Sequence, residues 1–145
     1  KLDLAPNAVV LLHHLCYASG NTEPGLAQGT VDQAIARVDN YAAGFIRAGA
    51  RAVVAEGHMG PAWYVDQLLR SDASIESIWG RSPNAHGNVI RVASTRSPGY
   101  TQRLDPDHAR SGFYRSLVAS GVRAADLRAA AVLLQDSKLM QPSAA

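Results

Sequence analysis

Two short apolar, β-branched runs flank one amphipathic segment that has its own start and stop signals, and this pattern leaves the chain few folds to choose from. The first run is Ala8-Val9-Val10-Leu11-Leu12, preceded by Pro6 and followed by a turn signal at Ser19 to Asn21. The second runs from Ala50 to Glu56 and is closed by Gly57, Gly60 and Pro61. Runs of this kind suit strands covered on both faces. Between them, Thr30-Val31-Asp32-Gln33 has the form of a capping box. Val31, Ala34, Ile35, Val38, Tyr41, Ala42 and Phe45 follow at helical spacing. Gly49 stands where a left-handed C-terminal cap is expected. Gly44 weakens the helix by about 1 kcal/mol relative to alanine, which predicts close packing of helix on sheet. Strand, helix, strand in this order is a right-handed crossover between parallel strands, so the chain is expected to be an α/β domain with a parallel sheet.

Pro61 suits the first turn of a further helix, with Ala62, Val65, Leu68 and Leu69 as its apolar face. A shorter helix is predicted from Ser74, carrying Ile75, Ile78 and Trp79 inward. Trp63, Tyr64 and Phe45 are assigned to the core. Segments 88–93 and 113–118 are expected as strands, 94–111 as a long loop rich in Pro, Gly, Ser and Arg, and 124–134 as a terminal helix. His86-Gly87 reads as a turn. The domain is expected to span 1–134, with 135–145 as a flexible tail.

Composition excludes several classes. A chain of 145 residues is enough for one domain and not comfortably for two. The net charge of +2 is small, and the twelve arginines and two lysines are scattered, which argues against nucleic acid. No run approaches the ~18 apolar residues of a membrane span, and no signal peptide is evident at the start. Compartment is not fixed by these features; a secreted or cell-surface setting is slightly favoured. No cofactor is expected. The loop after the first strand lacks the glycine spacing of a phosphate cradle, which leaves a nucleotide-binding domain little support.

The single cysteine, Cys16, cannot form an internal disulfide. It follows the first strand, and ligand sites in open α/β sheets lie beyond the carboxyl ends of strands. A thiol held there, ahead of a small-residue turn with main-chain N–H groups, has what a nucleophile needs. It also needs a base, and His13, His14 and His58 are the in-chain candidates. If the strand runs straight, alternation puts His14 and Cys16 on one face, about 6–7 Å apart at their roots, and His13 on the other. That split argues against a metal site. Against all this stands a plain alternative: cysteine is among the most buried residue types, the histidines serve as hydrogen-bonded strand or loop residues, and Glu56 is a solvated strand end.

The run from Ala8 to Gly20 resembles the strand and cysteine turn of the caspase-like cysteine peptidases, the clan that includes gingipains, separases and CHAT domains. The run from Tyr41 to Ala55, a helix ending in a Gly-Ala turn that feeds a Val-rich strand, is similar to the helix and strand that follow in CHAT and gingipain-type domains. Leu68-Leu69 and Ser74 to Ile78 resemble their next helix pair. The resemblance covers residues 6–80. It implies a caspase–hemoglobinase fold, a three-layer sandwich about a parallel sheet, with Cys16 as nucleophile of a peptide-hydrolysing acyl transfer. Gly20 would belong to the cysteine turn, and Glu56, Gly57 and His58 would border the substrate pocket. The family's general base is a histidine at the end of the strand before the cysteine strand. The sequence begins after that point, so the sheet is expected to be incomplete, with an upstream part of the same protein or a second chain covering the first-strand edge. The alternative is a non-catalytic module of the same fold, used for binding or structure in a larger protein.

Overall fold

A computed structural model describes residues 2–120. The first apolar run forms β1 (Ala8–His13) and the capped segment forms α2 (Val31–Arg47), after a one-turn helix, α1 (Cys16–Ser19). The Thr30 side chain accepts from the Gln33 N–H while Gln33 accepts from the Thr30 N–H, which is the predicted capping box. Gly49 follows the helix with φ of 112°, the predicted left-handed stop. The second run forms β2 (Ala50–Glu56), and it pairs with β1 in parallel, as the crossover predicts.

The remaining elements are α3 (Ala62–Arg70), α4 (Ile75–Gly80), β3 (Ile90–Ala93), β4 (Thr101–Leu104) and β5 (Arg115–Ala119). The five strands lie in the order β1-β2-β5-β4-β3. Only β1 and β2 run parallel; β5 is antiparallel to β2 and β4, and β3 is antiparallel to β4. The fold is therefore α/β with a mixed sheet, and the wholly parallel sheet expected from the sequence is corrected. The physical reason is the absence of a crossover helix between β3, β4 and β5, so the chain returns through short loops, which favour antiparallel neighbours.

Two apolar layers sandwich the sheet. Val9 and Leu11 of β1, Val54 of β2 and Leu117 of β5 meet Tyr64, Ile75, Ile78 and Trp79 of α3 and α4 on one face. Val10, Leu12, Val53, Val118 and Leu104 meet Ala34, Val38 and Ala42 of α2 on the other. The period-2 alternation of β1 thus feeds both layers. β1 is nevertheless only half-buried, because it lies at the edge of the sheet.

Three further expectations need correction. The predicted long loop contains β4, whose Gln102 and Leu104 are fully buried. α3 turns Tyr64 inward and leaves Val65 and Leu69 exposed, because the Tyr64 hydroxyl reaches Glu56 across the layer. Gly44 is exposed, and a Cβ there would meet no atom within 4 Å, so close packing is not its reason. Gly44→Ala is accordingly expected to stabilise the fold by about 0.5–1 kcal/mol, read as a higher urea midpoint at unchanged slope. The expected helix 124–134 and tail 135–145 lie outside the described residues.

Candidate functional site

β1 stops at His13, three residues before the cysteine. His14 takes φ of 56° and breaks the strand, so Cys16 becomes the first residue of α1 instead of continuing β1. The face-sharing argument for His14 and Cys16 therefore fails. What survives is position: β1 and β2 run parallel with His13 opposite Glu56, and Cys16 lies just beyond that shared carboxyl end.

The turn that carries Cys16 is tied down from several sides. The Asn21 N–H donates to the Cys16 carbonyl at 2.9 Å, and Ser19 Oγ lies 2.8 Å from the same oxygen and 2.9 Å from the Phe113 carbonyl. Ser116 of β5 donates to the Ala18 carbonyl at 3.0 Å. Gly20 has φ of 105°, and a Cβ there would approach Ala34 and Leu104 to 3.2 Å. Its place in the cysteine turn is therefore conformational and steric.

Cys16 is half-buried and opens on a cleft of about 280 Å³, walled by residues Asn21 to Leu26, Gln28 and Tyr114. Tyr114 connects this cleft to the end of β2. Its carbonyl accepts from the Gly57 N–H at 2.7 Å, and its ring centroid stands 4.0 Å from that of His58. Gly57 and His58 are thus brought to the outer side of one cleft wall. His14 is not: it is exposed, with its ring 3.9 Å from that of His13, whose Nδ1 lies 3.0 Å from the Met59 carbonyl. Among the described residues, no imidazole hydrogen-bonds to the Cys16 sulfur, and no three His, Cys, Asp or Glu side chains are grouped to hold a metal.

Glu56 is not a solvated strand end, and it does not line the Cys16 cleft. It is buried, accepting from Tyr64 at 2.5 Å and from Arg115 Nε at 3.3 Å. Burial and the neighbouring Glu56 carboxylate push the Tyr64 phenol well above its ordinary value, so it stays a donor. Arg115 also pairs with Asp105 and donates to the Trp79 carbonyl. Burial would raise the Asp105 carboxyl, but N–H donors from His86 and Asn88 and the Arg115 guanidinium outweigh it and hold it below its ordinary value.

A third buried carboxylate organises the loop after β3. Asp39 of α2 accepts from Ser94 Oγ at 2.5 Å, from the Thr95 N–H and Oγ1, and from the Arg96 N–H at 3.1 Å. Here too burial raises the carboxyl and the hydrogen bonds more than offset it, leaving it below its ordinary value.

The sequence marks Cys16 and the loop after it, but gives no sign of Tyr114, which joins the cleft from 98 positions away through the Gly57 contact. No protein-family model matches this chain, and neither a curated protein nor a solved structure does. No helix among the described residues is long and apolar enough to cross a membrane.

Proposed function

We propose that this chain is the thiol-bearing part of a cysteine peptidase-like domain of caspase-like fold. Cys16 attacks the carbonyl carbon of a peptide bond; the amine leaves with a proton, a thioester remains, and water then cleaves it to release the acid and restore the thiol. The base that takes the thiol proton is a histidine on a further strand paired with β1, from the same protein or a second chain. The observation that supports this reading is the half-buried Cys16 facing a cleft beyond the parallel ends of β1 and β2. β1 is also an edge strand, with one hydrogen-bonding side unpaired among the described residues. A strand added in parallel there ends at the same lip as the sulfur. Helices on both faces of the sheet are compatible with the caspase-like sandwich; the antiparallel β5, β4 and β3 are the departure from its parallel order.

The test is alkylation of the folded protein by iodoacetamide, with peptide hydrolysis measured once the strand that covers β1 is present. Cys16 is expected to react in the folded state, and Cys16→Ala is expected to abolish hydrolysis. A folded thiol that resists alkylation while the urea-unfolded thiol reacts, or hydrolysis that survives Cys16→Ala, sinks the proposal. A second reading, a non-catalytic module of the same fold, is favoured by one observation: no described imidazole bonds to the sulfur. It predicts that a covering strand adds stability but no hydrolysis.

A further inference from the structure

We infer that the open cleft between α2 and the loop after β3 binds a sugar acid, a pyranose ring that carries one carboxylate. Cys16 does not line this cleft, so the site stands apart from the proposed acyl transfer. The space is about 540 Å³, in the range of small-ligand sites. Its chemistry is set by Tyr17, Glu23, Arg37, Asn40, Tyr41 and Arg96.

Two guanidinium groups and one carboxylate line the cleft, a surplus of one positive charge that suits a monoanion. Arg37 is half-buried, lies 5.1 Å from the Tyr17 ring centroid, and donates Nη1 to the Gly20 and Gln28 carbonyls at 3.3 and 2.9 Å. These bonds fix its position, while Nε and Nη2 make no hydrogen bond among the described residues. Arg96 is anchored by its main-chain N–H on Asp39, and its exposed side chain has no partner among the described residues. The Asp39 carboxylate is buried and already accepts four hydrogen bonds, so it does not neutralise either cation from within the cleft. A planar, pre-positioned guanidinium pairs with a carboxylate through two parallel N–H donors.

The donors here are side chains rather than main chain. Arg37, Asn40 and Tyr41 lie inside α2, where N–H groups are held by the helix, and the Arg96 N–H is held by Asp39. The cleft therefore lacks the cradle of main-chain N–H groups that phosphate sites use, and Glu23 repels a second negative charge. What the cleft offers instead suits hydroxyls, which both donate and accept. The Asn40 amide, the Tyr41 hydroxyl and the Glu23 carboxylate line it without a side-chain hydrogen bond among the described residues. Tyr41 is exposed, and its ring centroid stands 6.3 Å from that of Tyr17. Its ring is an apolar wall for the C–H face of a pyranose. Carboxylate, hydroxyls and a flat carbon face together describe a sugar acid.

The test follows backbone amide shifts by NMR while the protein is titrated with methyl glucuronide, methyl galacturonide, methyl glucoside, acetate and inorganic phosphate. At least one uronide is expected to bind saturably, with shifts centred on Tyr17, Arg37, Tyr41 and Arg96. The glucoside lacks the charge, and acetate and phosphate lack the ring; each is expected to bind about tenfold more weakly or worse. The same loss of uronide binding is expected on Arg96→Ala and on Tyr41→Ala. Both remove exposed side chains without an internal hydrogen bond, so their melting curves are expected to match wild type. A hyaluronan hexasaccharide separates the two sources of such a ring: tighter binding than the monosaccharide assigns the site to a polymer, weaker binding to a free sugar acid. Failure of both uronides to bind, glucoside, acetate or phosphate binding as tightly as a uronide, or indifference to either substitution overturns the inference. The iodoacetamide result is read separately, because reactivity at Cys16 changes none of these outcomes.

Discussion

Arg115→Met is expected to cost about 3–5 kcal/mol, the range seen when one partner of a buried ion pair is removed, and so a large share of a small domain's stability. Arg115 is 1% exposed and sits between two buried carboxylates, with its guanidinium 4.1 Å from the Trp79 ring centroid. Methionine fills much of the volume but leaves Glu56 and Asp105 facing each other's charge without a cation. Desolvated like charges cannot both persist, so the variant is expected to unfold or to take up a proton. The triple change Arg115→Met, Glu56→Gln, Asp105→Asn removes all three charges together and is expected to recover part of the loss. Urea unfolding followed by circular dichroism measures both. A loss below about 1 kcal/mol, the scale of a surface pair, would show that these groups are not a structural unit.

The second large effect is expected at Asp39, whose removal by Asp39→Ala strands the Ser94, Thr95 and Arg96 donors at once. Hydrogen bonds to a charged group contribute about 1.5–3 kcal/mol each when measured singly and do not add; a total near 3 kcal/mol is expected. The effect depends on pH with a definite sign. The folded carboxyl lies below its ordinary value, so its contribution is fully present above the unfolded pKa of about 4 and is lost as pH falls through the lower folded value. The gap between wild type and Asp39→Ala should therefore be widest near neutrality and shrink below pH ~4. A gap that stays constant from neutral to acid pH would remove the carboxylate's charge from the explanation.

These effects explain which parts of the molecule could be read in advance. The β1–α2–β2 unit was legible because its signals are local: an apolar run, a capping box, a glycine stop. The same holds for α4, whose Ser74 hydroxyl accepts from the Ser77 N–H while Ile75, Ile78 and Trp79 turn inward. β4 was illegible because Thr-Gln-Arg-Leu carries one apolar residue, and its strand character comes from pairing with β3 and β5. The burial of Glu56 is not legible locally, because its partner, Arg115, lies 59 positions away. The position of Cys16 beyond the end of β1 is legible from the apolar run, but nothing in His13-His14-Leu15 announces the left-handed residue at His14 that starts α1 at the cysteine.

The sheet order carries a consequence for how the protein is made. β5 is the last described strand in the chain but occupies the middle of the sheet, between β2 and β4. During synthesis, β1, α2 and β2 can associate early, while the inner side of β2 stays open until residue 119 emerges. Over that interval the Val53 and Val54 stretch is an unprotected template for any passing strand, and Glu56 waits there without its cation. Closure is therefore a late, long-range event in which one arginine arrives together with the strand that seals the gap. The moment of greatest exposure for this chain comes just before its centre is filled.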